Sequence, residues 1–364
     1  MNKAAAKFME AVKKYKSIVI YIPGSPDPDA IASAYAIKYI LRQLGIDSDI
    51  IAEKRLSLTQ NQAFIDRLKI PILFSREINL NKYEAYIVPD FQSNRIDSIG
   101  DSIPCAVHID HHGRAEEAGK ADFSLVRNDV GSTSTLVALI IKNLNLDIPQ
   151  EDIVSLSTAL IFGLQTDTDQ YKNISALDIE ALSFLSAFAD REILEEINSI
   201  PPSLQTLQLY NQARENETIY KDWAFYGLGY VDARHRDSIA ITADMIMEKS
   251  SHKVIAVVAV IENSSKKETY LDVSLRSNSG DVDLNRIIKG ITPNGGGRKY
   301  KGAYQVKLNY LQNAPDKEML WKVVEAATIE TLRKSRDSYY MTEIEKLYTG
   351  IRDKISSLFK KEKI

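Results

Sequence analysis

Short apolar runs alternate with helical patterns through the first half of the chain, and this alternation restricts the folds it can adopt. Ser17–Ile22 (SIVIYI) is rich in β-branched residues and lies between lysine and proline, which predicts a strand. Ala30–Leu44 has helical spacing and ends at Gly45. Further strands are predicted at Asp49–Ala52, Tyr86–Val88 and Pro104–Ile109. Strands that alternate with helices indicate an α/β fold, a mostly parallel sheet with helices on both faces.

The pattern changes in the second half of the chain. Arg191–Asn216 is helical and polar and is interrupted by Pro201-Pro202, which is typical of a linker. From Tyr220 onward strands dominate, which predicts a smaller α+β domain. The predicted organisation is a first domain of residues 1–190, a helical linker of residues 191–219 and a second domain of residues 220–314. Residues 315–364 are predicted to form two helical segments at the C-terminus.

Composition excludes several classes of protein. The 364 residues are 44% hydrophobic and 26% charged, as in ordinary globular proteins, and the net charge of -3 argues against a general polyanion-binding surface. Val254–Ile261 is the longest apolar run, too short for a membrane helix, and Met1–Lys16 lacks the apolar core of a signal peptide. The single Cys105 excludes an intrachain disulfide. We therefore expect a cytoplasmic location and no membrane partner.

Three of the five histidines lie within His108–His112. The preceding residues, Pro104–Val107, are mostly apolar, so the cluster is expected at the end of a buried strand. Buried polar groups are costly unless they are paired or bind something. Imidazole and carboxylate groups together therefore suggest a metal site. The alternative is a surface loop that happens to carry histidines.

Carboxylates also follow the predicted strands. Asp27 and Asp29 come after the first strand, Asp90 after Tyr86–Val88, and Asp110 after Pro104–Ile109. The carboxyl ends of parallel strands meet at one edge of the sheet, where α/β proteins bind ligands. The acids would repel one another unless a cation neutralised them, and oxygen with imidazole ligands suits manganese or magnesium. Each Asp taken alone could instead cap a helix or stabilise a turn.

These residues resemble the four motifs of the DHH phosphoesterases. The motifs are Pro26-Asp27-Pro28-Asp29 with Ser33, then Asp90, then Asp110-His111-His112, then Asp167 in Thr-Asp-Thr. Ser274-Leu275-Arg276-Ser277 and the later Gly295-Gly296-Gly297 are similar to the DHH-associated substrate-binding domain. The resemblance covers roughly residues 17 to 310. Within the family the chain is most similar to RecJ-like nanoRNases and pAp phosphatases, which remove nucleotides or phosphates from very short substrates.

The resemblance implies one or two Mn²⁺ ions, with Mg²⁺ as an alternative. Asp27 would bind the first ion, Asp29 the second, and Asp90 both. His111 and Asp167 would complete the second site. A water between the ions would be the nucleophile.

The same resemblance implies that one residue acts on the substrate and that a second residue orients a histidine. His112 would contact the scissile phosphate or donate a proton to the leaving group. Asp110 would orient a histidine.

Two positions depart from the family pattern. Pro23 stands where the family usually has a histidine ligand of the first metal, and Arg298 stands where a histidine normally follows the glycines. Asp169 or His108 would be the candidates to replace the missing ligand, and a weak or empty first site is the other alternative. Arg298 would still bind a phosphate through two hydrogen bonds.

Glycines and cations in the second domain predict a substrate site. Successive N–H groups of Gly295–Gly297 would form a nest for an anion, and the alternative is an ordinary flexible loop. The expected ligand is a phosphate or carboxylate. The predicted substrate-binding residues are Arg276, Ser277, Gly295, Gly296, Gly297, Arg298 and Lys299.

The sequence therefore favours a Mn²⁺-dependent phosphoesterase that hydrolyses short RNA or DNA (an oligoribonuclease-like activity), linear dinucleotides or nucleoside bisphosphates. The alternative is a nucleotide-binding or sensing protein with an incomplete first metal site and little catalysis. Near the C-terminus one helical stripe would pack on its own chain or form a homodimer contact. The stripe consists of Ile344, Leu347, Ile351, Ile355 and Leu358.

Overall fold

The computed structural model describes residues 1–56, 58–113, 119–263, 268–293 and 295–361, without the side chains of 263, 346–348 and 350–361. Most of the apolar C-terminal stripe and the position of Asn294 therefore lie outside the described residues. The chain divides into two units, Met1–Pro201 and Pro202–Ile364. The predicted domain boundaries at 190 and 219 stay predictions.

The first unit is an alternation of strands and helices. Its strands are Ser17–Ile22 (β1), Asp47–Ala52 (β2), Ile72–Phe74 (β3), Ala85–Pro89 (β4), Cys105–Asp110 (β5) and Ala121–Val126 (β6). Its helices are Asn2–Val12 (α1), Pro28–Gln43 (α2), Thr59–Leu68 (α3), Thr133–Leu144 (α4), Gln150–Asp167 (α5), Ala176–Leu185 (α6) and Arg191–Asn198 (α7). A short 3-10 helix spans Leu80–Lys82.

The six strands form one parallel sheet in the order β3-β2-β1-β4-β5-β6. The chain builds outward from β1 in one direction, through β2 and β3, and then in the other, through β4, β5 and β6. The strand order therefore reverses between β1 and β4. In open α/β sheets, ligands bind at the carboxyl ends of the strands beside such a reversal.

Both faces of this sheet are buried, which explains why its strands are almost continuously apolar. From β1, Ile18 and Ile20 point into a core shared with helices α2, α4 and α5. Val19 and Tyr21 point into a second core, to which the segment between β4 and β5 contributes Ile99. The predicted α/β fold of the N-terminal part, a parallel sheet with helices, is confirmed. The expected α-helices on both faces are not observed among the described residues: the α-helices of this unit contribute to the first core, and the second core is formed by strand residues and connecting segments.

Helix α5 lies unusually close to α2 and α4 at Gly163. A Cβ atom added to this glycine would lie 2.5 Å from Ser134 Oγ, 3.0 Å from Asp29 Cα and 3.1 Å from Ala32 Cβ. One helical turn after Gly163, α5 ends at Asp167. The close approach at Gly163 therefore helps to set the position of the Asp167 side chain relative to α2.

The second unit contains a mixed sheet and four helices in its described residues. The strands are Glu217–Tyr220 (β7), Trp223–Asp232 (β8), Val254–Asn263 (β9), Glu268–Ser277 (β10), Gly296–Gly297 (β11) and Lys301–Lys307 (β12). The helices are Leu204–Glu215 (α8), Asp237–Lys249 (α9), Leu284–Ile291 (α10) and Lys317–Lys361 (α11), and 3-10 helices span Ala233–His235 and Asn309–Asn313.

The strand order is β11-β12-β10-β9-β8-β7, in which only the β8–β9 pair is parallel among the described strands. Alternate residues of β8 and β9 point into separate apolar cores, for example Phe225 into one and Tyr226 into the other. This confirms the predicted α+β character of the C-terminal part. The two C-terminal helical segments predicted from the sequence form one helix, α11, because no proline interrupts it and a single Gly350 is tolerated.

Replacement of Gly163 by alanine tests the close approach of α5. Gly163→Ala is expected to lower the free energy of unfolding by about 1–3 kcal/mol, because the new methyl group overpacks a buried helix contact. Gly290→Ala is the matched control: it also lies in a helix, but open space surrounds its Cβ position. The control is expected to raise stability by up to about 1 kcal/mol. Equal effects in denaturant unfolding of the two variants would contradict the packing argument.

Candidate metal centre

The carboxyl ends of three adjacent strands bring the predicted acids to one edge of the first sheet. Asp27 caps helix α2 after β1, accepting a hydrogen bond from the Ala30 N–H at 2.9 Å, and Asp29 lies in the first turn of that helix. Asp90 follows β4, and Asp110 is the last residue of β5. The strand ends that carry these acids therefore lie side by side in the sheet, as parallel pairing predicts.

His111 lies at the centre of this edge. Its Nε2 atom is 2.8 Å from Asp167 Oδ2, 3.4 Å from Asp90 Oδ1 and 4.0 Å from Asp29 Oδ2. Each of the four residues offers one nitrogen or oxygen atom, and the four atoms lie within 4.8 Å of one another. Asp29, Asp90 and His111 are buried, and Asp167 is partly exposed. These four side chains form the acid–histidine cluster.

His112 lies on the more exposed side of the cluster. Asp110 Oδ1 is 2.9 Å from its Nδ1 atom, so Asp110 fixes the orientation of the ring. The same Nδ1 atom is 3.7 Å from Asp90 Oδ1, and Asp90, His111 and His112 form a second group that could hold a metal ion. The His112 side chain is 26% exposed, so a substrate is able to reach it.

Other candidate ligands stand outside these groups. Asp27 is exposed and belongs to neither group of described residues. His108 is buried and bonds through Nε2 to the Phe91 carbonyl oxygen at 2.7 Å, which holds the segment after Asp90. Asp169 accepts a hydrogen bond from Asn173 Nδ2 at 3.1 Å. Neither proposed replacement for the ligand missing at Pro23 joins the acid–histidine cluster in the described part of the chain.

The carboxyl groups of the cluster are electrostatically strained. Burial, reinforced by the nearby Asp167, raises the pKa of Asp29 to about 6. Burial also raises the pKa of Asp90 well above its ordinary value, with Asp29 and Asp27 as the next contributors. Among the described residues, the salt-bridge partners within 4 Å of these two carboxylates are His111 and His112, and neither carries the permanent charge of a lysine or arginine.

A divalent cation fits this arrangement. Three carboxylate oxygens and one imidazole nitrogen are a donor set that suits manganese and also accepts magnesium. A cation would also remove the repulsion that raises the pKa values of the carboxyl groups.

The amino end of helix α4 is a part of the site that the sequence analysis did not identify. The backbone N–H groups of Thr133 and Ser134 each donate to Asp29, both at 2.7 Å. The Thr133 hydroxyl donates to Asp90 Oδ1 at 2.9 Å. The sequence showed only the Ser132-Thr133-Ser134 helix start, and nothing in that pattern indicates a carboxylate about a hundred residues away in the chain.

Asp90 also has an unusual backbone. Its φ angle is +55°, a left-handed conformation that costs a non-glycine residue about 1 kcal/mol or more. The Asp90 N–H donates to the Ile109 carbonyl oxygen at 2.8 Å, which holds the residue in place. Strain of this kind is common where a side chain must be aimed at a ligand.

The predicted substrate-binding residues all lie in the second unit. Arg276 is 8% exposed, and its guanidinium forms two hydrogen bonds with Asp244, at 2.7 and 3.2 Å. Lys301 lies 3.3 Å from the same carboxylate. The Ser277 hydroxyl donates to the Lys253 carbonyl oxygen at 2.9 Å.

The glycine run forms a tight hairpin. Gly296 and Gly297 pair with β12, and the Arg298 N–H donates to the Lys301 carbonyl oxygen at 2.7 Å. A Cβ atom on Gly295 would lie 2.5 Å from Tyr304 Cβ, so close packing requires glycine there. None of the three glycines has the positive φ that a nest usually contains. Arg298 and Lys299 are exposed at the turn. Phosphate binding by these residues stays a prediction.

Comparison with known proteins places the first unit in a family. Residues 17–164 match the model of the DHH family, N-terminal domain. This match confirms the resemblance to the DHH family that the motifs showed in the N-terminal part of the chain.

Two curated relatives cover different shares of the chain. An uncharacterized protein of Methanocaldococcus jannaschii is 29% identical over 321 residues, which are 86% of this chain and 63% of that protein. The chain thus spans less than two thirds of that relative. A probable manganese-dependent inorganic pyrophosphatase of Streptococcus thermophilus is 27% identical over 155 residues, 42% of this chain and 48% of that protein.

The fold also occurs in a solved structure. An exopolyphosphatase-related protein from Bacteroides fragilis superimposes with a TM-score of 0.66 and 18% identity, covering 93% of this chain and 98% of that one. This likeness concerns the fold.

In the described part of the chain, none of the helices combines the length and apolar character that a membrane span needs.

Replacement of Asp90 by asparagine should separate repulsion from metal binding. Asn tolerates a positive φ and keeps an acceptor for the Thr133 hydroxyl. Asp90→Asn is therefore expected to raise the melting temperature of the metal-free protein, because it removes one of the repelling charges. In the native protein Mn²⁺ should raise the melting temperature further, and the variant should lose this metal-dependent rise. Thermal unfolding with and without Mn²⁺ measures both effects. Asp97→Asn, at an exposed position, should change neither. A metal-free Asp90→Asn protein that is less stable than the native one would contradict the repulsion.

The metal-free protein should become less stable as the pH rises from mildly acidic to neutral values. The Asp29 pKa is about 6 in the folded chain, whereas an aspartate in an unfolded chain titrates near about 3.9. The folded state therefore binds more protons between these values, and its stability should fall as pH rises from 4 to 6. We expect a higher metal-free melting temperature at pH 5 than at pH 7. Saturating Mn²⁺ should stabilise the protein less at pH 5, because protons compete for the ligands. A metal effect that grows on acidification would contradict this assignment.

Proposed function

We propose that the chain is a metal-dependent phosphoesterase. The observation that carries the proposal is the convergence of Asp29, Asp90, Asp167 and His111, whose ligand atoms lie within 4.8 Å of one another at the carboxyl edge of a parallel sheet. The confirmed DHH family domain supports the same conclusion. Manganese is the proposed ion, with magnesium as the alternative, and the S. thermophilus relative is named for manganese dependence.

In the proposed mechanism these four residues hold the ion, and His112 acts on the substrate. A bound divalent cation supplies a lowered water pKa and stabilises negative charge on phosphoryl oxygens. Asp110 holds the His112 ring through Nδ1, so the imidazole is positioned before substrate arrives. His112 then donates a hydrogen bond or a proton to the oxygen that leaves phosphorus.

The proposed substrates are short oligonucleotides, linear dinucleotides or nucleoside bisphosphates. The cationic residues Arg276, Arg298 and Lys301 of the second unit, with the exposed Lys299, support an anionic ligand there. Arg276 would bind phosphate while Asp244 keeps its guanidinium in one orientation. A cytoplasmic location and a homodimer remain part of the proposal.

One observation favours a second candidate function. Pro23 supplies no ligand, and Asp27 stands outside the acid–histidine cluster, so the residues that would hold a first ion are few. If the lack of a first ion makes hydrolysis slow, the chain would bind nucleotides and act as a sensor. Metal analysis of the purified protein, together with the rate of substrate hydrolysis, distinguishes the two functions. Turnover supports the enzyme, and nucleotide binding without turnover supports the sensor.

Replacement of His112 tests the enzyme directly. With Mn²⁺ the native protein is expected to release mononucleotide from RNA of two to five nucleotides, or phosphate from a nucleoside bisphosphate. His112→Asn should lower kcat by about 10²–10⁴-fold, because the residue contacts the leaving group, while Mn²⁺ affinity changes little. His235→Asn, a lone histidine of the second unit, is the control and should retain full activity. Absence of turnover of these substrates and of pyrophosphate with Mn²⁺, Mg²⁺ and Co²⁺ would overturn the enzyme proposal.

A further inference from the structure

The first turn of helix α4 contacts two carboxylates of the acid–histidine cluster at once. The Thr133 and Ser134 N–H groups donate to separate oxygens of Asp29, Oδ2 and Oδ1. Asp29 is fully buried, and free N–H groups at a helix start are suited to hold a carboxylate in its charged form. Both oxygens of Asp29 are therefore fixed in direction before any ion binds.

The Thr133 side chain extends this arrangement to Asp90. Its hydroxyl donates to Asp90 Oδ1 at 2.9 Å, and the Thr133 side chain is fully buried. Asp90 Oδ1 also lies close to both histidines, at 3.4 Å from His111 Nε2 and 3.7 Å from His112 Nδ1. The Thr133 hydroxyl occupies one lone pair of Asp90 Oδ1. A metal ion bound by either group of candidate ligands would therefore approach this oxygen from another direction.

The turn that carries Thr133 is itself held rigidly. Asp178, fully buried on α6, accepts hydrogen bonds from the Gly131 N–H at 2.9 Å and from the Thr135 hydroxyl at 2.5 Å. Ser132 caps the helix by accepting from the Thr135 N–H at 3.1 Å. Because Asp178 holds Gly131 and Thr135, two residues before and two after Thr133, the backbone at Thr133 is fixed and its hydroxyl approaches Asp90 from a defined direction.

We propose that Thr133 is a positioning residue of the metal centre, whose hydroxyl holds the Asp90 carboxylate in the direction required to bind a divalent cation together with Asp29, His111 and Asp167. Hydrogen-bond partners of metal ligands typically contribute 10–100-fold to metal affinity. The inference rests on the proposed function, since it assumes that this cluster binds the ion. It adds a residue outside the four DHH motifs that were recognised in the sequence.

Two substitutions at Thr133 separate the hydroxyl from the methyl group. Thr133→Val keeps the shape and removes the donor, and it is expected to weaken Mn²⁺ binding by about 10–100-fold. Thr133→Ser restores the donor and should remain within about threefold of the native affinity. Thr328→Val is the matched control, because the buried Thr328 hydroxyl bonds only to the Val324 carbonyl oxygen of its own helix in the described structure. Free Mn²⁺ measured by electron paramagnetic resonance gives the affinities without any assay of activity.

The outcomes distinguish this inference from the proposed function. If the native protein binds Mn²⁺ and Thr133→Val binds it equally well, the inference is wrong and the proposed function stands. Equal losses in Thr133→Val and Thr133→Ser would also overturn it, because the loss would then come from packing. If the native protein binds no Mn²⁺, Mg²⁺ or Co²⁺, the proposed metal centre fails. Melting temperatures of the metal-free variants show whether each is folded, and a Thr133→Val protein that melts like the native one but binds Mn²⁺ weakly supports the inference.

Discussion

Repulsion among buried carboxylates is the constraint on which the rest of the first unit depends. Asp29, Asp90 and Asp167 surround one imidazole, and burial together with their neighbours raises the pKa of Asp29 and Asp90. Such a cluster weakens a protein unless it holds a cation, because each carboxylate loses water and gains a like-charged neighbour. The cluster therefore destabilises the metal-free protein at the same place where an ion would bind.

The scaffold holds the carboxylates together against this repulsion. The parallel sheet brings Asp29 and Asp90 to one edge, beside the point where the strand order reverses. Gly163 lets α5 approach α2, and Asp167 at the end of α5 reaches the same cluster. The amino end of α4 supplies N–H groups and the Thr133 hydroxyl, which donate to Asp29 and Asp90 and partly offset the repulsion between them. Backbone hydrogen bonds and a strained φ at Asp90 complete the support.

The sequence predicts the strands and the acids that follow them, because apolar β-branched runs and parallel pairing determine both. The short edge strands Ile72–Phe74 and Ala121–Val126 were missed, since runs of this kind bury few residues and carry a weak pattern. Thr133 and Asp178 were missed for another reason: each has the sequence context of an ordinary helix start, and their contacts join segments far apart in the chain. Arg276 was recognised as a cation, but its pairing with Asp244 depends on tertiary structure.

The central claim is that Asp29, Asp90, His111 and Asp167 together bind one divalent cation. Anomalous diffraction from crystals of the protein grown with Mn²⁺ tests it most directly, because scattering at the manganese absorption edge locates the ion independently of any model of the side chains. The account predicts an anomalous peak within coordinating distance of all four residues. Ordered side chains at this edge without an anomalous peak between them, or a manganese ion bound only elsewhere on the chain, would contradict it.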